Sequence, residues 1–216
     1  MRIQAALAFL AALPLASCVS TKTLADPTLL IHSPEGTELG VATEWGAVFL
    51  GRFARGGEVD VTAWFADGPS LENSVVEPIG GGLYTAETNI RLPRIEVTFR
   101  APQQGEPVRV FGRSGGDVWS IPSEVRRDPR VEGILLRPRG GLTGAPEQVG
   151  AGVYVGEDEL SYQLLGLVSG RIRIVDDNGR GVDYVTVIGP KDLWRLVAHN
   201  RDLQQKPRWV YREDVL

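Results

Sequence analysis

Serine, histidine and clustered carboxylates are the side chains through which this sequence could do chemistry. The run Gly112-Arg113-Ser114-Gly115-Gly116-Asp117-Val118 sets a hydroxyl in a glycine-rich turn. Hydrolysis by such a serine needs a base to take the hydroxyl proton and backbone donors to hold the developing oxyanion, and histidine is the usual base. The chain has 2 histidines. His32 lies in a strand-like run, Ile31-His32-Ser33-Pro34, and His199 lies in a helix-like run after every candidate nucleophile. Ser114 therefore reads as the solvated tip of a turn. Asp176-Asp177-Asn178-Gly179 offers oxygen ligands but lacks the glutamate that a calcium loop places downstream, so it reads as a hairpin turn. Two histidines and 1 cysteine leave no His/Cys metal set, and Gly80-Gly81-Gly82 lacks the Lys-Ser/Thr of a phosphate loop. No catalytic residue, metal ligand or cofactor is expected.

The cysteine carries a different chemistry. Arg2 precedes an apolar run, Ile3 to Leu15, which is too short to span a bilayer and has the make-up of a signal peptide over residues 1–17. Leu15-Ala16-Ser17-Cys18 resembles the lipobox of bacterial lipoproteins, which implies cleavage before Cys18 and acylation of its thiol and amine. Two or more acyl chains hold a protein stably at a membrane, at about 0.8 kcal/mol per buried methylene. Residues 18–27 are then a lipidated tether. Val19 stands where an aspartate would favour inner-membrane retention, so the resemblance implies an outer-membrane anchor facing the periplasm.

The bulk properties narrow the remaining classes. With 216 residues and 43% hydrophobic content, the chain can bury one large or two small cores. A net charge of -4 offers no footprint for nucleic acid, whose phosphates require clustered Lys and Arg. The expected partners are the membrane, through acyl chains, and an envelope protein or peptide. One cysteine excludes an internal disulfide framework.

Glycine (26) and proline (14) punctuate short apolar runs, the pattern of an all-β chain. Strands are expected at 28–31, 39–50, 58–65, 73–77, 83–90, 95–99, 108–111 and 131–136, with 112–146 otherwise loop-like. Four more are expected at 153–155, 162–168, 172–175 and 184–188, separated by turns at GEDEL, SGR and DDNGRG. Pro190 opens an amphipathic helix to Gln204, with Leu193, Leu196, Val197 and Leu203 on one face and Asp192 at the positive end of the dipole. Trp209-Val210-Tyr211 reads as a last short strand. The five tryptophans read as core or interface packing.

The order of the last third carries a family resemblance. A Gly-x-Gly-Val strand, a polar hairpin, Leu164-Leu165-Gly166-Leu167-Val168-Ser169-Gly170, a Tyr-Val-Thr-Val strand and a closing helix resemble the end of trypsin-like serine peptidases. That implies two antiparallel six-stranded barrels and a C-terminal helix, with a β-sandwich as the alternative. Gly105 to Gly112 resembles the strand opening a second barrel, and the barrels are expected at 28–112 and 113–216. The resemblance places Val149-Gly150-Ala151-Gly152-Val153 over the nucleophile motif, so Gly150 stands where the serine would be. It implies a degenerate peptidase. Leu167, Val168, Ser169 and Gly170 fall on the strand whose backbone pairs with substrate in that family.

Overall fold

The structure is a computed structural model describing residues 26–65, 68–87, 95–139, 148–157, 161–175 and 178–205. Twelve strands and one helix follow in order: β1 (Thr28–Ser33), β2 (Gly36–Thr43), β3 (Gly46–Phe49), β4 (Glu58–Phe65), β5 (Gly68–Gly80), β6 (Leu83–Ala86), β7 (Pro107–Ser114), β8 (Asp117–Arg126), β9 (Ile134–Pro138), β10 (Gly152–Val155), β11 (Gln163–Val175), β12 (Gly181–Ile188) and α1 (Pro190–Gln205). They close into two six-stranded antiparallel barrels, β1-β2-β3-β6-β5-β4 and β10-β11-β12-β9-β8-β7. The two-barrel plan expected from the resemblance holds, and the β-sandwich alternative does not: each sheet closes on itself and leaves no pair of open sheets to stack.

Period-two patterning drives the barrels. In β4, Val59, Val61 and Ala63 point into the first core while Glu58 and Asp60 face solvent. In β7, Val108 and Val110 enter the second core and Pro107 and Arg109 face out.

Several expectations need correction. The barrel junction expected at 112/113 falls inside β7, which pairs with β8 and β10, so the second barrel begins at Pro107. Gly112 is a strand residue with the Trp119 indole lying across its α-carbon, and the reversal comes later, at Gly115 and Gly116. Asp117–Arg126 is a strand, not a loop; Pro122 and its polar neighbours masked the alternation that buries Ser123 and Val125. Leu39 to Leu50 divides into β2 and β3 across a tight turn at Glu44 and Trp45. Ser169-Gly170-Arg171 makes no turn. β11 runs through it with a bulge, the extra residue of one strand that bends a ladder without ending it. The 95–99 run forms only two single bridges, Ile95 to Thr43 and Val97 to Leu164. Trp209 to Tyr211 lies outside the described residues.

The helix forms where expected. Gly189 C=O accepts the N–H groups of Asp192 and Leu193, and Pro190 supplies a pre-set φ in the first turn. Leu193 and Leu196 pack into a third apolar cluster with Val41, Val48 and Leu83 of the first barrel and Tyr154, Leu164 and Leu167 of the second. That cluster is the seam joining the barrels.

Candidate functional site at the barrel seam

Gly150 lies just ahead of β10, in a turn closed by Ala151 N–H donating to Gln148 C=O at 3.0 Å. Its φ of +90° is the left-handed conformation that the third residue of a type II turn needs, and only glycine adopts it without strain. Its N–H donates to Val168 C=O at 2.7 Å, and Val168 N–H donates to Ala151 C=O at 2.9 Å, fixing the turn to β11. The first barrel closes on it from the other side. A Cβ on Gly150 would lie 2.5 Å from the carbonyl oxygen of Leu39. Position 150 thus has neither the backbone angles nor the space for a side chain.

Leu39 reaches this point because β2 alternates between two environments. Leu39 packs among the second barrel's core residues. Its neighbour Glu38, only 2% exposed, turns the other way. The Glu38 carboxylate accepts the N–H of Arg52 at 2.9 Å, of Phe53 at 3.0 Å and of Ala54 at 2.9 Å, bracing the loop after β3. Three backbone donors offset the desolvation of the buried charge. Sequence reading passed over Glu38; the one available signal was an acid within a run of otherwise inward-facing strand residues.

The histidines are engaged elsewhere. His32 Nδ1 lies 2.9 Å from Thr37 Oγ1 and its Nε2 3.0 Å from Thr62 Oγ1, bridging β1 to both of its neighbours. His199 Nε2 lies 2.9 Å from Glu77 Oε2, without the alignment of a hydrogen bond. Ser114 is exposed at the β7–β8 reversal, opposite Asp117. Among the described residues, no histidine nitrogen bonds a serine hydroxyl.

The strand named from the resemblance divides in two. Leu167 and Val168 are fully buried, so their side chains serve the cores. Ser169 and Gly170 are half-buried at the bulge, with Ser169 Oγ donating to Thr186 Oγ1 at 3.0 Å. β10 pairs with β11 only as far as Leu167, and among the described residues no strand lies on that side of Ser169 and Gly170. Cys18 lies outside the described residues.

Arg113, 8% exposed, ties three segments together. Its Nε and Nη2 each lie 3.0 Å from Asp26 Oδ2, its Nη1 donates to Gly116 C=O at 2.5 Å, and its guanidinium sits 4.0 Å over the Trp64 ring of β4. The N-terminal lead, the first barrel and the β7–β8 hairpin therefore meet at one cation. Asp26 is pinned here rather than continuing the tether.

No protein-family model and no curated protein sequence matches this chain. Solved structures do. The MamO protease domain from Magnetospirillum magneticum is similar at a TM-score of 0.55 and 16% identity, covering 82% of this chain and 97% of that one. A human pathogenic astrovirus serine protease is similar at 0.52 and 14% identity, covering 77% and 91%. Catalytically inactive tobacco etch virus protease complexed with substrate is similar at 0.51 and 14%, covering 84% and 86%. The fold is chymotrypsin-like.

Proposed function

We propose that this chymotrypsin-like fold works without covalent chemistry, as an envelope lipoprotein anchored through acylated Cys18 that binds an extended peptide segment of an envelope partner along β11 at Ser169 and Gly170. The observation that carries the reading is the geometry at Gly150. Where the resemblance puts a nucleophile, φ is +90° and the Leu39 carbonyl occupies the space a side chain would need. Both histidines are held by residues of the first barrel, His32 by Thr37 and Thr62 and His199 by Glu77. A glycine at the nucleophile position and histidines engaged elsewhere support this reading, because nucleophile and base act as a unit in forming an acyl-enzyme.

Peptide binding needs only the backbone that remains. A strand added beside Ser169 and Gly170 would take its affinity from main-chain hydrogen bonds and its specificity from alternate side chains. The similar tobacco etch virus protease was solved catalytically inactive and with substrate bound, which supports holding a peptide on this fold without turnover. The anchor rests on Leu15 to Cys18 following the short apolar run.

Selection of displayed peptides on the purified protein tests the reading. Binders are expected to be extended sequences whose binding is lost in Gly170→Tyr, a position where a Cβ meets only Thr186 Oγ1 at 3.4 Å, with thermal unfolding of the variant checking that the barrels remain folded. Selected peptides that bind Gly170→Tyr equally well, or that are cleaved, would overturn it.

A further inference from the structure

The exposed side of α1 combines aromatic and basic groups. Leu193, Leu196 and Val197 face the seam, while Lys191, Trp194, Arg195, Ala198 and Arg201 face out at spacings of three and four. Trp194 is 46% exposed and meets Phe99, 38% exposed, edge to face at 5.1 Å. The Arg201 guanidinium lies 5.4 Å from the Trp194 ring. Two large aromatic rings left in water beside cations are costly on a surface that meets only solvent. The composition continues along the chain. Residues 190–216 hold six Lys and Arg against four Asp and Glu, although the whole chain is net -4.

The chain leaves the first barrel beside the C-terminal end of α1. Pro27 C=O accepts Ala42 N–H at 2.8 Å, and the β2–β3 turn that follows Ala42 is held by α1 through Asn200 Nδ2 donating to Trp45 C=O at 2.6 Å. From Cys18 to the pinned Asp26 there are eight residues, which reach at most about 28 Å when fully extended. A body so leashed must lie close to the bilayer. The helix held by that same turn presents rings and cations, the pairing that sits at a headgroup layer.

We propose that this face of α1, with Phe99, is a second membrane contact that docks on anionic phospholipid and sets the orientation of the barrels; it rests on the lipoprotein reading. Trp194 and Phe99 enter the headgroup layer, and Lys191 and Arg201 meet lipid phosphates, Arg195 being paired with Asp192 at 3.7 Å. Each basic residue near an anionic surface contributes about 1 kcal/mol, about five-fold in partitioning. The acyl chains hold the protein at the membrane, and the basic aromatic face fixes how the barrels sit against it.

The test uses the full chain reconstituted into vesicles of phosphatidylcholine with or without phosphatidylglycerol, carrying lipids brominated near the headgroup. Tryptophan quenching that requires phosphatidylglycerol, disappears in Trp194→Phe and weakens on the order of 25-fold in apparent lipid affinity in Lys191→Gln/Arg201→Gln is expected. Quenching independent of phosphatidylglycerol, or unchanged in Trp194→Phe, would overturn the proposal. So would a Trp194 whose emission is already that of a buried ring without vesicles and becomes exposed on removal of residues 206–216, since this chain's own C-terminus would then be the occupant. So would a Trp194 protected only by an added acidic protein. Trp194 reports contact of the body whether or not Cys18 is acylated, so failure here is separate from failure of the anchor, which membrane fractionation of Cys18→Ala reads.

Discussion

The carbonyl oxygen of Leu39, in the first barrel, occupies the space into which any side chain on Gly150, in the second, would project; a Cβ there would come within 2.5 Å of it. The contact joins two constraints at one residue, a left-handed φ and a closed seam. Gly150→Ser is expected to lose about 2–4 kcal/mol, from the left-handed backbone and from overpacking against Leu39. Urea unfolding measures it. A loss below about 0.5 kcal/mol would show that the seam opens at this point.

A fluorophosphonate probe should leave the folded protein unlabelled. No described serine has a histidine partner, and His32 already spends both ring nitrogens on Thr37 and Thr62. Intact-mass spectrometry after incubation checks this. Stoichiometric adduct at Ser114 or any other serine would establish an activated nucleophile.

Cys18→Ala should move the protein from the membrane fraction to the soluble one, because acyl chains on that thiol and amine are the anchor the sequence implies. Fractionation followed by a high-salt wash reads the outcome. Continued sedimentation of the variant would remove the lipoprotein reading.

Arg113→Met should cost about 3 kcal/mol, because it leaves the Asp26 carboxylate without its cation in a site where the two side chains are 7% and 14% exposed. The double variant Asp26→Asn/Arg113→Met should recover part of that loss, since no uncompensated charge remains. A double-mutant cycle in urea measures the coupling, and a coupling near zero would show that the latch contributes nothing to holding the N-terminal lead.

Tyr154 gives a pH signature. Burial first, and the charge of Asp26 second, push its phenol well above the ordinary value of 10.0. A raised folded-state value means the stability it contributes is complete below the unfolded value near 10 and is lost as pH rises through and beyond it. Among the described residues the hydroxyl has no hydrogen-bond partner. Tyr154→Phe should therefore raise stability by about 1 kcal/mol at neutral pH and flatten the alkaline decline above about pH 10. Thermal unfolding of both proteins across that range decides it; an unchanged alkaline limb would place the titration elsewhere.

What the sequence by itself determined is local and periodic. β4 was legible to the residue at Glu58–Phe65 because alternation is written in adjacent side chains, and α1 because a proline and a stripe of leucines mark a helix wherever it packs. The barrel plan came through the ordered motifs of the last third. Only the tertiary structure decided why Gly150 is glycine. A type II turn and the arrival of Leu39, from a strand 111 positions earlier in the chain, both exclude a side chain there, and neither constraint is visible in neighbouring residues. The same holds for Glu38, whose three backbone donors come from 14 to 16 residues away, and for Arg113, whose partner Asp26 is 87 residues away. Periodicity reports which way a side chain points, and the partner it meets there depends on how two barrels close against each other.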